Sequence, residues 1–247
     1  PIDKFVFDVS HQSYPHKMLT GRAFGFTDED SFTKISGYTN PDESIHDLFN
    51  VGHTSTSISV ACGLCKARDL RGDKENVIAI IGDGSLSGGE ALEGLNVASE
   101  LKSNLIIVVN DNDMSIAENH GGLYSNLRLL RKSKGECECN LFKSFGLDYR
   151  YIDNGNDLAT LIGVFNEIKG INHPIVIHIN TVKGKGSSLA ENEKEKFHST
   201  VSFNKETGEL VSINSGETYL SVTGDYILKK IKEDKDFVAI SAGVPSA

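Results

Sequence analysis

Two short apolar runs, Val77–Ile81 and Leu105–Val109, bracket a stretch with helical periodicity, and this arrangement constrains the fold more than any other feature of the chain. Both runs are rich in β-branched residues and lack polar alternation, the pattern of a strand buried on both faces. Between them Ala91, Leu92, Leu95, Ala98 and Leu101 fall on one helical face. Strand, helix and strand of these lengths predict a parallel βαβ unit, which brings the carboxyl ends of both strands to one edge of the sheet. Gly82-Asp83-Gly84 closes the first strand and Asn110-Asp111-Asn112 the second. Asp83 and Asn112, 29 positions apart in sequence, are therefore expected side by side.

That placement has chemical content. Asp83 offers a carboxylate, Asn112 an amide oxygen, and the backbone carbonyl of a neighbour such as Met114 a third oxygen. Hard oxygen donors on a half-open site suit Mg²⁺, which keeps positions for water and phosphate oxygens. Gly84 and Ser85 lead into a helix N-terminus, where free N–H groups favour a diphosphate. The plain alternative is a doubly wound domain in which Gly-Asp-Gly is only a tight turn.

At 247 residues the chain is long enough for a substantial core. Alternating strands and helices point to an α/β fold, a doubly wound and mainly parallel sheet with helices on both faces. A net charge of −9 with no Lys/Arg run argues against nucleic acid as a partner. No apolar run approaches the roughly 20 residues of a membrane span. Cys62, Cys65, Cys137 and Cys139 form two close pairs. The first sits in an apolar helical pattern and reads as small buried hydrophobes; zinc held by both pairs is the alternative. A disulfide framework is disfavoured in a chain this size without a secretory signal, so a reducing cytoplasm is the expected location.

Strands are expected at Phe5–Val9, Val77–Ile81, Leu105–Val109, Asp148–Asp153, Pro174–Asn180 and Phe237–Ser241. Helices are expected at Thr54–Leu70, Arg128–Lys134, Glu136–Phe145, Asn156–Lys169, Glu191–Lys196 and Glu217–Lys232, with Ala23–Asn50 a polar, irregular surface excursion. His11 and His53 follow segments that end at the same sheet edge, where a histidine can bond a phosphate or move a proton near neutral pH. His198 has the weaker context of a Phe-His pair after a charged run, and His46, His173 and His178 read as structural or solvent-facing. Lys183 and Lys185 lie in a glycine-rich loop at a strand end, a usual place for phosphate contacts.

Several blocks carry a family resemblance. Asp8-Val9-Ser10-His11-Gln12, Tyr14-Pro15-His16-Lys17 and Leu19-Thr20-Gly21-Arg22 resemble the DVGHQ…YPHK…LTGR run of the 1-deoxy-D-xylulose-5-phosphate synthases. Gly52 to Ser59 is similar to that family's GHSSTSIS, Asn110 to Asn119 to its NDNEMSISEN, and Thr181 to Gly186 to its T-x-KGKG segment. GDG followed by a closing asparagine is itself the thiamine diphosphate motif. Transketolases, the nearest relatives, share that motif but not the other blocks. Departures are Phe7 for a tryptophan, Ser10 for a glycine, His120 for a valine and Phe197 for the tryptophan before His198.

The resemblance implies thiamine diphosphate and Mg²⁺ as cofactors, pyruvate and D-glyceraldehyde 3-phosphate as substrates, and a homodimer. It implies Asp83, Asn112 and Met114 as metal ligands, and His11, His53 and His198 as catalytic. It places His11, Gly52, His53, Thr54, Gly84, Ser85, Asn112, Lys183 and Ser187 at the cofactor, Ser187 standing where the family often has an aromatic ring. It also implies a domain boundary, with 1–215 binding diphosphate and metal and 216–247 either a linker or the start of a truncated pyrimidine-binding domain, whose activating glutamate lies beyond residue 247. Opening on Pro1 beside a strand, the chain is read as a piece of something longer, unable to turn over alone. A transketolase-like enzyme or split subunit acting on sugar phosphates is one alternative. A non-catalytic domain of the same fold is the other.

Overall fold

A computed structural model describes residues 2–211 and 216–240, without the side chain of His11. The chain forms two compact units, Pro1–Met114 with Asn119–Val182, and Ser115–Glu118 with Lys183–Ala247. The first holds a five-stranded, all-parallel sheet. Its strands are β1 (Lys4–Phe7), β2 (Val77–Gly82), β3 (Leu105–Asp111), β4 (Asp148–Ile152) and β5 (Pro174–Asn180), in the spatial order β1-β2-β3-β5-β4. Five helices of eight or more residues are described: α1 (Ser57–Arg71), α2 (Gly89–Ala98), α3 (Gly122–Lys132), α4 (Leu158–Ile168) and α5 (Tyr219–Glu233).

Alternation along the buried strands sorts side chains to two faces. Val77, Ala79, Ile81, Leu105, Ile107 and Val109 pack with Ile58 and Ala61 of α1, Leu95 of α2, and Leu127 and Leu130 of α3. The opposite residues, Ile78, Ile106, Val108 and Ile177, pack with Val164 and Ile168 of α4. Helices therefore cover both faces, as the unbroken apolar runs require. Cys62 and Cys65 lie inside α1, where burial pushes their thiols up to about 11 and about 12. They fill core space, and among the described residues no group of three or more His, Cys, Asp or Glu is placed to hold a metal ion.

Several expected elements differ. The single helix expected after GDG is broken into a one-turn helix, Asp83–Leu86, and α2, because Gly88 is extended and a Cβ there would lie 1.9 Å from Ser55 Oγ. The helix expected at Glu136–Phe145 is only the turn Leu141–Ser144, since Asn140 caps it by accepting the N–H groups of Phe142 and Lys143. The basic helix begins at Gly122, earlier than expected, and the short helix after the glycine-rich loop is Ser188–Asn192. Residues 237–240 form no strand, and Ser241 lies outside the described residues.

The excursion after Ala23 is less irregular than its composition implies. It contains the turns Phe24–Thr27 and Glu29–Lys34 and is tied down by buried charge. The Arg22 guanidinium bonds Asp47 through both terminal nitrogens, at 2.6 and 2.9 Å, and Lys17 Nζ bonds Glu43 at 2.7 Å. In the second unit, the Phe197 and Phe203 rings meet edge to face at 5.0 Å, and Thr218 with Ser221 forms a capping box for α5.

Candidate functional site

Four segments of the first unit converge at the carboxyl edge of the sheet. Phe7 is in register with Ile80, and the Asp8 N–H continues the ladder to Ile80 O at 2.8 Å. The Asp8 carboxylate, fully buried, accepts the N–H groups of Ser55 at 2.9 Å and Ser57 at 3.0 Å. Ser55 Oγ in turn donates to Ser85 O at 2.7 Å. The end of β1, the 52–57 loop and the turn after β2 are thus joined by one chain of bonds. Gly82 is in register with Asn110, so Asp83 and Asn112 each follow paired strand ends on the same edge. Of five described non-glycine residues with positive φ, four lie in these loops: Val9, Ser10, Ser55 and Asp113. Backbone held in such sparsely populated regions gathers where a site must be held in shape.

Asp83 is 2% exposed and accepts a hydrogen bond from Asn119 Nδ2 at 2.8 Å. Burial, followed by the negative charge of nearby Asp111, pushes its pKa up to about 7. A bound divalent cation would favour the anion again. Asn112 is half-buried, and its Oδ1 accepts the Met114 N–H at 3.2 Å while keeping a second lone pair. One carboxylate, one amide oxygen and main-chain carbonyls form an all-oxygen donor set, which fits Mg²⁺. The Gly84 carbonyl accepts Tyr124 Oη–H at 3.3 Å, steadying the turn that carries Ser85.

Sequence reasoning missed the groups behind this edge. Asp111 ends β3 fully buried, and its carboxylate accepts Arg131 Nη1, His178 Nε2 at 2.8 Å and the Asp113 N–H at 3.0 Å. Burial alone would raise its pKa; the bonds from His178 and Arg131 overcome this and hold it below the ordinary value. His178 Nδ1 lies 2.8 Å from Tyr149 Oη, so the histidine expected to be ordinary is a fully buried link between β3 and β4. Its cue was a lone polar residue inside the run Pro174–Ile179.

The family profile described as 1-deoxy-D-xylulose-5-phosphate synthase matches residues 1–139. The chain belongs to this synthase family. It is 38% identical to the 1-deoxy-D-xylulose-5-phosphate synthase of Pelotomaculum thermopropionicum over 99% of this chain and 44% of that protein. To the synthase of Clostridium kluyveri it is 40% identical, over 98% of this chain and 44% of that protein. To that of Alkaliphilus oremlandii it is 38% identical, over its whole length and 45% of the relative. The chain thus spans less than half the length of the curated synthases it matches.

The remaining residues singled out by the synthase resemblance fall in both units. Gly52, His53 and Thr54 are exposed on the loop before α1, and a Cβ on Gly52 would lie 3.0 Å from the Tyr38 ring. His53 Nδ1 bonds Thr54 O at 2.8 Å, so Nδ1 carries the proton and Nε2 is turned away from that contact. His11 opens a 3₁₀ turn, His11–Ser13, just past β1. Lys183, Ser187 and His198 belong to the second unit. There Lys183 Nζ donates to Ser115 O, Ser187 caps the Ser188–Asn192 turn, and the His198 N–H donates to Glu195 O at 3.1 Å.

Proposed function

We propose that this chain supplies the diphosphate- and metal-binding half of a thiamine diphosphate-dependent synthase. That synthase joins pyruvate to D-glyceraldehyde 3-phosphate, giving 1-deoxy-D-xylulose 5-phosphate and CO₂. The observation that carries the reading is Asp83, a buried carboxylate next to the buried carboxylate of Asp111, at the strand ends where an α/β sheet takes its ligands and on the edge that Asn112 shares. Asp83, Asn112 and the Met114 carbonyl would hold Mg²⁺. Gly84 and Ser85, with Gly52, His53 and Thr54, would line the diphosphate. When bound, the cofactor supplies the carbanion character that lets a 2-oxo acid lose CO₂ and bond to an aldehyde.

The protein's part is orientation and charge. Asp83 and Asn112 would hold the metal and, with it, the diphosphate end of the cofactor, which is the positioning this chain would contribute. His53 keeps its Nε2 available for a phosphoryl oxygen or a transferable proton. His11 and His53 are proposed near the diphosphate and the reacting carbon, His198 is proposed as catalytic, and Lys183 and Ser187 as cofactor contacts. Residues 1–215 are proposed as the diphosphate-binding domain, with 216–247 leading to a pyrimidine-binding one, in a cytoplasmic homodimer. Among the described residues, no helix is long and apolar enough to cross a membrane.

Titration calorimetry of residues 1–247 with thiamine diphosphate, or with inorganic pyrophosphate as the diphosphate probe, tests the reading. Binding is expected with Mg²⁺ and lost with EDTA. Asp83→Ala should abolish the Mg²⁺-dependent heat. A wild-type chain that takes up neither ligand in millimolar Mg²⁺ would refute the proposal.

A further inference from the structure

Asn112 sits between two acidic residues that one arginine grips together. Arg131, from α3, bonds Asp111 through Nη1 at 2.7 Å and Asp113 through Nη2 at 2.6 Å. The Asp113 N–H returns to Asp111 Oδ1, closing a ring of contacts around the intervening asparagine. Asp113 is held there with φ +64, a left-handed conformation that side-chain-bearing residues seldom adopt. Behind the ring, His178 bonds the other oxygen of Asp111 and is itself braced by Tyr149. The Thr181 N–H holds the Asp111 carbonyl at 2.8 Å, and Thr181 Oγ1 holds the Asn110 amide oxygen at 2.6 Å. Every residue flanking Asn112 is therefore fixed by side chains from α3 or by the end of β5.

We propose that Arg131 is a positioning residue for the divalent cation. By clamping Asp111 and Asp113 on either side of Asn112, it holds that amide oxygen at the sheet edge in the orientation the ion requires. This rests on the metal reading of Asp83 and Asn112 given above. The planar guanidinium is what makes the device work, because its fork reaches two carboxylates at once, whereas an ammonium is a single point charge. Groups behind metal ligands typically change affinity 10- to 100-fold when replaced. Mg²⁺ demands near-ideal octahedral geometry while Ca²⁺ tolerates irregular shells, so a misaimed amide should harm Mg²⁺ more.

The test compares wild type, Arg131→Lys and Asp113→Asn in the 1–247 chain, titrating Mg²⁺ and separately Ca²⁺ by calorimetry with thiamine diphosphate present. Thermal unfolding without metal serves as the folding control. Arg131→Lys is expected to weaken Mg²⁺ at least about tenfold and Ca²⁺ by clearly less. Asp113→Asn, a change at a half-exposed side chain, should shift the same ratio in the same direction and decides the matter should Arg131→Lys not fold. Unchanged Mg²⁺ affinity in a folded variant overturns the clamp, as does an equal loss for both ions, which would mark general loosening. A wild-type chain that binds neither ion in the presence of thiamine diphosphate instead defeats the metal reading itself.

Discussion

Ser10 shows how a single residue can hold a strained turn in place. Its φ of +75 suits glycine, the residue the family resemblance places there, yet its hydroxyl is buried, bonded to the Val51 carbonyl and 3.2 Å from Thr39 Oγ1. A left-handed serine costs about 1–2 kcal/mol, and an orphaned buried carbonyl about 1–3. Ser10→Ala keeps the strain and loses the bond, so urea unfolding should show a loss of about 2 kcal/mol. Ser10→Gly loses the bond but relieves the strain and should be milder; a glycine variant no better than the alanine one would refute this account. Asp47 gives the pH counterpart. Burial alone would raise its pKa, but bonds from Arg22, the Asn40 N–H and His16 lower it to about 2. A folded pKa below the unfolded value, near 3.9, means this stabilisation is present above about pH 4 and lost as pH falls through about 2. It amounts to about 2 kcal/mol. Acid titration of Asp47→Asn should therefore lack the part of the wild-type transition between about pH 4 and 2.

At the scale of elements, Asp8 is the joint between β1 and α1. Its carboxylate supplies two acceptors to the first turn of the helix, a role that no residue at the helix start fulfils, since Thr56 makes no side-chain cap. Asp8→Ala would orphan two buried N–H groups at about 1–3 kcal/mol each. Hydrogen exchange at Ser55 and Ser57 should accelerate while the β2–β3 ladder stays protected; uniform acceleration would contradict a local role. The same elements show what was readable in advance. Pro174–Asn180 was legible to the residue because proline and a polar loop bound a β-branched run interrupted only by His178. The shared edge of Asp83 and Asn112 followed from the parallel pairing that a βαβ connection imposes. The helix expected at Glu136–Phe145 failed because Asn140 caps from within it, and hydrophobic spacing does not register a cap. The Asp111–His178 pair was invisible for a different reason: its partners lie 67 positions apart, and only the β3–β5 register, Asp111 opposite Asn180 and Val109 opposite His178, brings them together.

For the whole molecule, the charge of −9 and the proposed diphosphate ligand are compatible only if positive charge is concentrated where the ligand sits. One Mg²⁺ at Asp83 and Asn112 would provide that locally without a basic surface. The chain also spans 44% of the Pelotomaculum synthase, and the site proposed at Asp83 and Asn112 would take only the diphosphate end of the cofactor. On the family resemblance, the carboxylate that would activate the aminopyrimidine belongs to a following domain, so the proposal gives this chain the holding of one end only. Binding and turnover should therefore separate. Residues 1–247 supplied with Mg²⁺, thiamine diphosphate, pyruvate and D-glyceraldehyde 3-phosphate are expected to bind the cofactor yet release no CO₂ above background. Assembly with the remaining part of a synthase should restore release, and Asp83→Ala should remove it again. Full CO₂ release by residues 1–247 alone would show that the catalytic carboxylate lies within this chain, and the division of labour proposed here would have to be abandoned.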